Sequence, residues 1–271
     1  MATSDISLTA GMRNNLLALQ KTAGQLAETQ NRLSTGKKVN SALDNPTNYF
    51  AAAAHLERAS DLANRKDGMT EAVQIIKNAD NGIKAITALI QSAKALASSA
   101  SATSDTLSQL TYESQYLQIT SQITTLASDS AYRGTNLLTS GTLSIEFAAK
   151  TGNASLVVNG FAADSAALGV TSGTGWSTAG VSGTASAAMD NALITLRSNS
   201  SVLASNLSII TARQDFTDNV INTLQQGADG LTLADMNNEG ANMLMLQTRQ
   251  SLGTTALSLS SQAAQSVLRL F

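Results

Sequence analysis

The chain has no cysteine, one histidine and one proline among its 271 residues. Without cysteine there is no disulfide, no thiolate metal site and no cysteine nucleophile. With His55 as the sole histidine, no metal cluster of two or more histidines can be assembled within one chain, and a histidine-based triad could be built on that one residue alone. Neither an enzyme nor a cofactor protein is expected. Aromatic residues make up 4% of the sequence and charged residues 13%, with a formal net charge of −2. Nucleic-acid binders usually carry a basic face that neutralises phosphates, and none is present. No apolar run approaches the ~20 residues of a bilayer span, so membrane insertion is not expected. The opening MATSDISLTAGMRNN lacks a basic segment followed by an apolar stretch and a cleavage site, so an exported form is expected to keep its amino terminus.

What is present is a 43% hydrophobic content built from small and unbranched side chains, which suits close-packed helices. Met12, Leu16, Leu19, Ala23, Leu26, Gln30 and Leu33 follow 4-3 spacing and define one helix seam. Gly36, Lys37, Lys38 and Pro46 then predict a break over 36–46. A second helix carries two seams, one through Met69, Val73, Ile76 and Ile83, the other through Ile75, Ala79, Ile86, Ala93 and Ala100, which implies contacts on two sides. A third, over about 105–129, places Leu107, Leu110, Leu117, Ile119, Ile123 and Leu126 at similar offsets and stops at Tyr132-Arg133-Gly134.

Residues 139–186 differ: eight of the 18 glycines and only three charges lie there, LSIEF alternates with period two and ASLVV is β-branched. Short strands are predicted, in an insertion that hangs outside the helical core, with Trp176 filling its small interior. From Met189 the heptad returns through Leu193, Leu196, Leu203, Ile210, Thr217 and Leu224, and Gly227 and Gly230 are expected to end that helix. The last segment carries two stripes, Met245, Leu252, Ala256, Leu259, Ala263 and Leu270, and Met243, Leu246, Gly253, Leu257, Ala264, Val267 and Phe271. A helix apolar on so broad a face needs neighbours on several sides. The expected fold is mainly α, with long coiled-coil-like helices from both chain ends and a small β-rich central insertion.

Both ends now resemble one family. RLSTGKKVNSALDNP, followed by the polar helix through ASDLANRKDGMTEAVQIIKNADNGI, and the closing LADMNNEGANMLMLQTRQSLGTTALSLSSQAAQSVLRLF are similar to the ends of bacterial flagellins. AYRGTNLL resembles the segment that closes their outer helical hairpin, with Arg133 where Asn is usual. The resemblance covers about residues 1–138 and 187–271. It implies a secreted subunit that polymerises with itself into the extracellular flagellar filament. It further implies an inner D0 layer from 1–40 and 231–271, a helical D1 from 41–138 and 187–230, and a small variable outer domain over 139–186. Flagellar cap and hook-junction proteins and an export chaperone, acting before type III export, are the implied partners. Met12, Leu16, Leu19, Leu26 and Leu33, with Met243, Leu246, Leu252, Leu257, Leu259, Val267, Leu270 and Phe271, are the candidate self-assembly residues. A hook-filament junction protein, or a secreted coiled-coil effector, would share some of these features.

Flagellins detected by the vertebrate Toll-like receptor carry a D1 segment resembling LQRVRELAVQ. The matching stretch here is IQSAKALASS, so Ser92, Lys94 and Ala95 replace Arg, Arg and Glu, and weak detection is expected. Three plainer readings complete the set. His55 reads as a solvent-facing helix residue, the mixed charges around Asp61, Arg65, Lys66, Glu71 and Asp80 as a solvated face, and Asp44-Asn45-Pro46 as a turn.

Overall fold

The computed structural model describes residues 10–148, 154–170, 175–178 and 180–268. These form α1 (Ala10–Thr35), α2 (Pro46–Ala102), α3 (Thr106–Asp129), β1 (Thr142–Glu146), β2 (Ser155–Asn159), α4 (Val181–Thr232) and α5 (Met236–Leu268). The fold is mainly α, with one antiparallel hairpin. It divides into two compact units, Met1–Glu57 with Leu224–Phe271, and Arg58–Thr223.

In the first unit, α1 stops where the sequence places Gly36. That residue takes φ +70°, open to glycine without strain, and its N–H reaches the Arg32 carbonyl at 2.8 Å. The following turn is organised by Asp44, whose Oδ2 accepts the N–H groups of Asn40 and Ser41, each at 2.9 Å. Those two donors hold its carboxyl below the usual carboxylate range. Asn45 Oδ1 then accepts the N–H of Asn48 at 3.0 Å, and Pro46 opens α2, a residue whose missing N–H costs nothing at a helix start. The two connections of this unit are laced together: the Lys38 N–H reaches the Thr232 carbonyl at 2.8 Å and the Ala234 N–H reaches the Gly36 carbonyl at 2.9 Å. Lys37 and Leu233 form an isolated antiparallel bridge between them. Asp235 Oδ1 receives the N–H groups of Asn237 and Asn238 and caps α5.

Lacing explains one departure from the sequence reading. α4 does not end at Gly227 or Gly230 but continues to Thr232, because a mid-helix glycine costs only about 1 kcal/mol and the terminal carbonyl at 232 finds partners in Lys38 and Val39. His55 is half-buried rather than solvent-facing, with its ring against Gly227.

In the second unit α2 is covered on two sides, burying Met69, Ile76, Ile83 and Ile90 along one stripe and Ala72, Ala79, Ile86 and Ala93 along another. Every heptad position of α4 from Met189 to Thr217 is buried or half-buried. α3 differs from its predicted seam: Leu107, Leu110 and Leu117 face solvent, and the packed face is Tyr112, Tyr116, Ile119, Thr120 and Ile123. The hairpin pairs Leu143 with Val158 and Ile145 with Leu156, directing Ile145 and Val158 inward. Ile145, Phe147, Val158 and Trp176 belong to the same continuous core as Met69, Ile76 and Met189. The central segment therefore does not hang outside the core, as its weak heptad pattern suggested; it completes it.

A small buried arrangement fixes this segment. The Tyr116 hydroxyl donates to the Val170 carbonyl at 2.7 Å, and its ring lies 4.9 Å from that of Trp176. Glu113 accepts the N–H groups of Gly175 and Trp176 at 2.8 and 2.9 Å, one on each carboxylate oxygen. The charged residues of α2 reach across to other elements: Arg65 pairs with Glu146, Lys66 with Asp218 at 2.6 Å and Glu71 with Arg133 at 2.8 Å.

Candidate functional site

The candidate self-assembly residues converge on α1 and α5, which pair antiparallel: Leu19 meets Gly253 and Arg32 meets Glu239. Those two contacts stand about four helical turns apart. The helices approach so closely because residue 253 has no side chain. A Cβ there would lie 2.7 Å from Leu19 Cδ2, inside any normal contact. At the other end Arg32 donates from Nη1 to the buried Glu239 at 3.3 Å and from Nη2 to Glu28. A polar cavity of about 300 Å³ adjoins this cluster, lined by Gln25, Glu28, Arg32, Glu239 and Arg249 among others. Among the described residues no group of three or more His, Asp or Glu side chains is placed to hold a metal ion, and no helix is long and apolar enough to cross a membrane.

The face of α1 turned to α5 comprises Met12, Leu19, Thr22, Leu26, Thr29 and Leu33. Four of these are on the seam read from sequence. Leu16, Ala23 and Gln30, also on that seam, are exposed, and Thr22 and Thr29 take the intervening places. Thr22 is suited to this because its hydroxyl is satisfied by the Ala18 carbonyl at 2.9 Å, which leaves the methyl to pack. On α5, Met243, Leu246, Gly253 and Leu257 turn inward, Leu246 being only 5% exposed. The other stripe faces out: Leu252 is 65% and Leu259 62% exposed. Leu270, Phe271 and the side chain of Val267 lie outside the described residues. Two stripes of one helix thus have opposite environments, one satisfied within the chain and one open.

The receptor-segment positions lie on α2 in the second unit. The Ser92 hydroxyl donates to its own helix at the Ala88 carbonyl, 3.1 Å away, Lys94 pairs with Asp190 of α4, and Ala95 is exposed.

Two long terminal helices, paired yet each with an open apolar face, are what a polymerising subunit needs. A family model for the bacterial flagellin N-terminal helical region matches residues 6–142, half of the chain. The chain belongs to the bacterial flagellin family. Flagellin FljM of Caulobacter vibrioides is 29% identical over the full length of both chains, and a flagellin of Brucella melitensis is 28% identical over 94% of this chain and 95% of its own. A crystal structure of Bacillus cereus flagellin overlaps 55% of this chain and 88% of that one, with 15% identity and a TM-score of 0.49. As a flagellin, the protein is a structural subunit of the flagellar filament, which lies outside the cell and is built by self-polymerisation. Neither the junction-protein nor the effector reading is favoured.

Sequence reasoning did not single out Thr22, Thr29, Tyr116 or Glu113. The threonines stand three residues beyond Leu19 and Leu26 and so share their seam, a signal that weighting by hydrophobicity alone discards.

Proposed function

We propose that copies of this flagellin join through the open faces of the α1/α5 pair, with Leu16, Leu252 and Leu259 as contact residues. Met12, Leu19, Leu26, Leu33, Met243, Leu246 and Leu257 shape the pair from within, and Val267, Leu270 and Phe271, whose spacing in the sequence continues the two stripes, are further contact residues in this reading. The observation that carries this reading is the exposure of Leu252 and Leu259 on the stripe opposite Leu246 and Gly253. Burying two leucines contributes roughly 1.5–3 kcal/mol each, repeated at every subunit contact. Leu252→Asp with Leu259→Asp should leave a soluble, helical monomer that does not elongate; normal filaments from this double variant would refute the assignment.

In this reading residues 1–40 and 231–271 form the inner layer, 41–138 and 187–230 the surrounding helical layer, and 139–186 its outermost part. The contacts are heterologous and non-closing, as helical polymers require. The protein is secreted, and the filament meets cap and hook-junction proteins at its ends. An export chaperone covers the carboxy-terminal helix beforehand, a role supported by the same open α5 stripe. The subunit has no catalytic role.

Pairing of Lys94 with Asp190 favours a second reading, weak detection by the vertebrate Toll-like receptor. The cation that replaces the second arginine is already engaged within the chain, and Ser92 and Ala95 offer no charge. Ser92→Arg with Ala95→Glu should raise the response of receptor reporter cells; an unmodified response equal to that of a flagellin bearing the full motif would overturn it.

A further inference from the structure

Glu239 is the one buried charge among the described residues, 8% exposed, and it stands on the seam by which α5 meets α1. Its carboxylate accepts from Arg32 Nη1 at 3.3 Å, and Nη2 of the same guanidinium donates to Glu28. Taking such a pair out of water costs both partners their hydration, so apolar residues of the same size would hold the helices at least as well. The best-attested use of a charge on a helix seam is to choose the partner helix.

The α1/α5 pair has that choice to make. The α1 seam is Met12, Leu19, Leu26 and Leu33 alternating with Asn15, Thr22 and Thr29. The α5 seam runs from Glu239 through Met243, Leu246, Gln250, Gly253 and Leu257. Both follow coiled-coil spacing, so by apolar burial alone either helix could pair with a like helix of another copy. Leu17 of α1 and Leu252 of α5 are exposed, and a polymer brings many copies of both helices together.

Charge removes the degeneracy. If two α5 helices paired in parallel through this seam, two Glu239 carboxylates would meet. If they paired antiparallel, each Glu239 would be buried opposite a seam without a base, since the one base described on α5 is the exposed Arg249. Two α1 helices, in turn, offer Arg32 no carboxylate on the facing seam. Leaving a buried charge unpaired is far more costly than a pair is stabilising.

We infer that the Arg32–Glu239 pair selects the partner, so that α1 joins α5 and like pairs are rejected. The inference rests on the reading that the open faces of these helices carry assembly, because that is where wrong pairs would form. Arg32 is a positioning residue in this scheme: its fork holds Glu28 and Glu239 at once and ties the charge of α5 to one level of α1.

An introduced cysteine reports on pairing directly, because the chain has none of its own. Gln250→Cys puts one thiol at a half-buried position of the α5 seam. Full-length chains carrying it, oxidised in dilute solution, should give few disulfide-linked dimers. Glu239→Leu in the same chain should keep helicity and raise the dimer yield about tenfold, as α5 becomes able to pair with α5. Arg32→Met should not, because Glu239 still bars the like pair although α1 is loosened. Equal yields from the Glu239→Leu chain and its parent would overturn the inference. So would a rise with Arg32→Met as large as with Glu239→Leu, which would mean that loosening alone admits the wrong partner. Should Glu239→Leu fail to fold, Glu239→Gln removes the charge, keeps the shape and decides by the same yield. These yields are read without assembly, whereas failure of the contact reading shows as normal filaments from the Leu252→Asp and Leu259→Asp chain, so the two failures are told apart.

Discussion

Leu19 occupies the space that a side chain at residue 253 would need: a Cβ on Gly253 would stand 2.7 Å from Leu19 Cδ2 and 3.1 Å from its Cγ. Gly253→Ala can be absorbed by a small rotation of the leucine, and the gain in helix propensity, about 1 kcal/mol, offsets the crowding. Gly253→Val cannot, and should destabilise the first unit by about 1–3 kcal/mol. Leu19→Ala in the same chain should recover part of that loss. Thermal unfolding of the monomer followed by circular dichroism gives the double-mutant cycle, and additive effects would disprove the contact.

Tyr116 links stability to alkaline pH. Burial pushes its phenol from an ordinary value of 10.0 up to about 12. Because the folded-state value is the higher one, the folded chain holds this proton more tightly than the unfolded chain. Stability is therefore complete below pH 10 and declines as pH rises from 10 towards 12, by on the order of 2 kcal/mol. Tyr116→Phe should abolish that decline while costing about 1–2 kcal/mol at neutral pH, through the Val170 carbonyl left without its donor. Denaturant titrations of both chains at pH 8 and about pH 11 separate the two effects.

Glu113 clasps the backbone at Gly175 and Trp176, and Trp176 is the only tryptophan, so its fluorescence reports on that clasp alone. Glu113→Gln keeps one carbonyl acceptor and should weaken the clasp. Glu113→Ala removes both and should shift emission to the red as Trp176 gains water, at a loss of roughly 1.5–3 kcal/mol for bonds to a charged acceptor. An unshifted spectrum from the alanine variant would show that packing against Tyr116 suffices.

Arg133 has φ +47°, a conformation that a long side chain adopts at a penalty of roughly 1–2 kcal/mol. It sits with Gly134 at the head of a two-residue turn in which Tyr132 and Thr135 exchange backbone hydrogen bonds. Its compensation is an exposed ion pair with Glu71, and such pairs contribute only about 0–1 kcal/mol. Arg133→Asn should therefore be neutral or stabilising by up to about 1 kcal/mol, since Asn tolerates this backbone region better. The change is measured as a small rise in the unfolding midpoint; a clear fall would mean that the Glu71 pair is stronger than its exposure suggests.

The heptad of α4 was legible in the sequence because one stripe of large apolar residues coincides with one buried face. On α1 the same rule gave the right helix and the wrong phase. Met12, Leu19, Leu26 and Leu33 fit two seams equally, and the one through Leu16 looks more apolar than the one through Thr22 and Thr29, although the structure buries the threonines. The two stripes of α5 were both visible, but which faced α1 was not, since that depends on Gly253 admitting Leu19. On α3 the exposed leucines drew attention from Tyr116, whose burial depends on partners some 50 residues later in the chain, at Val170 and Trp176. Apolar residues that serve a neighbouring copy and those that serve the core look alike in one sequence.

The lacing of residues 36–39 to 232–234 has an entropic corollary. Those bonds close a ring that contains everything between them, and for a flexible ring the closure entropy grows only as the logarithm of its length. Doubling the enclosed chain would cost the first unit only about 0.6 kcal/mol. Stability at the chain ends is thereby nearly indifferent to how much sequence the middle holds, and the middle is free to lengthen or shorten over generations as long as its two exits return to the same short seam.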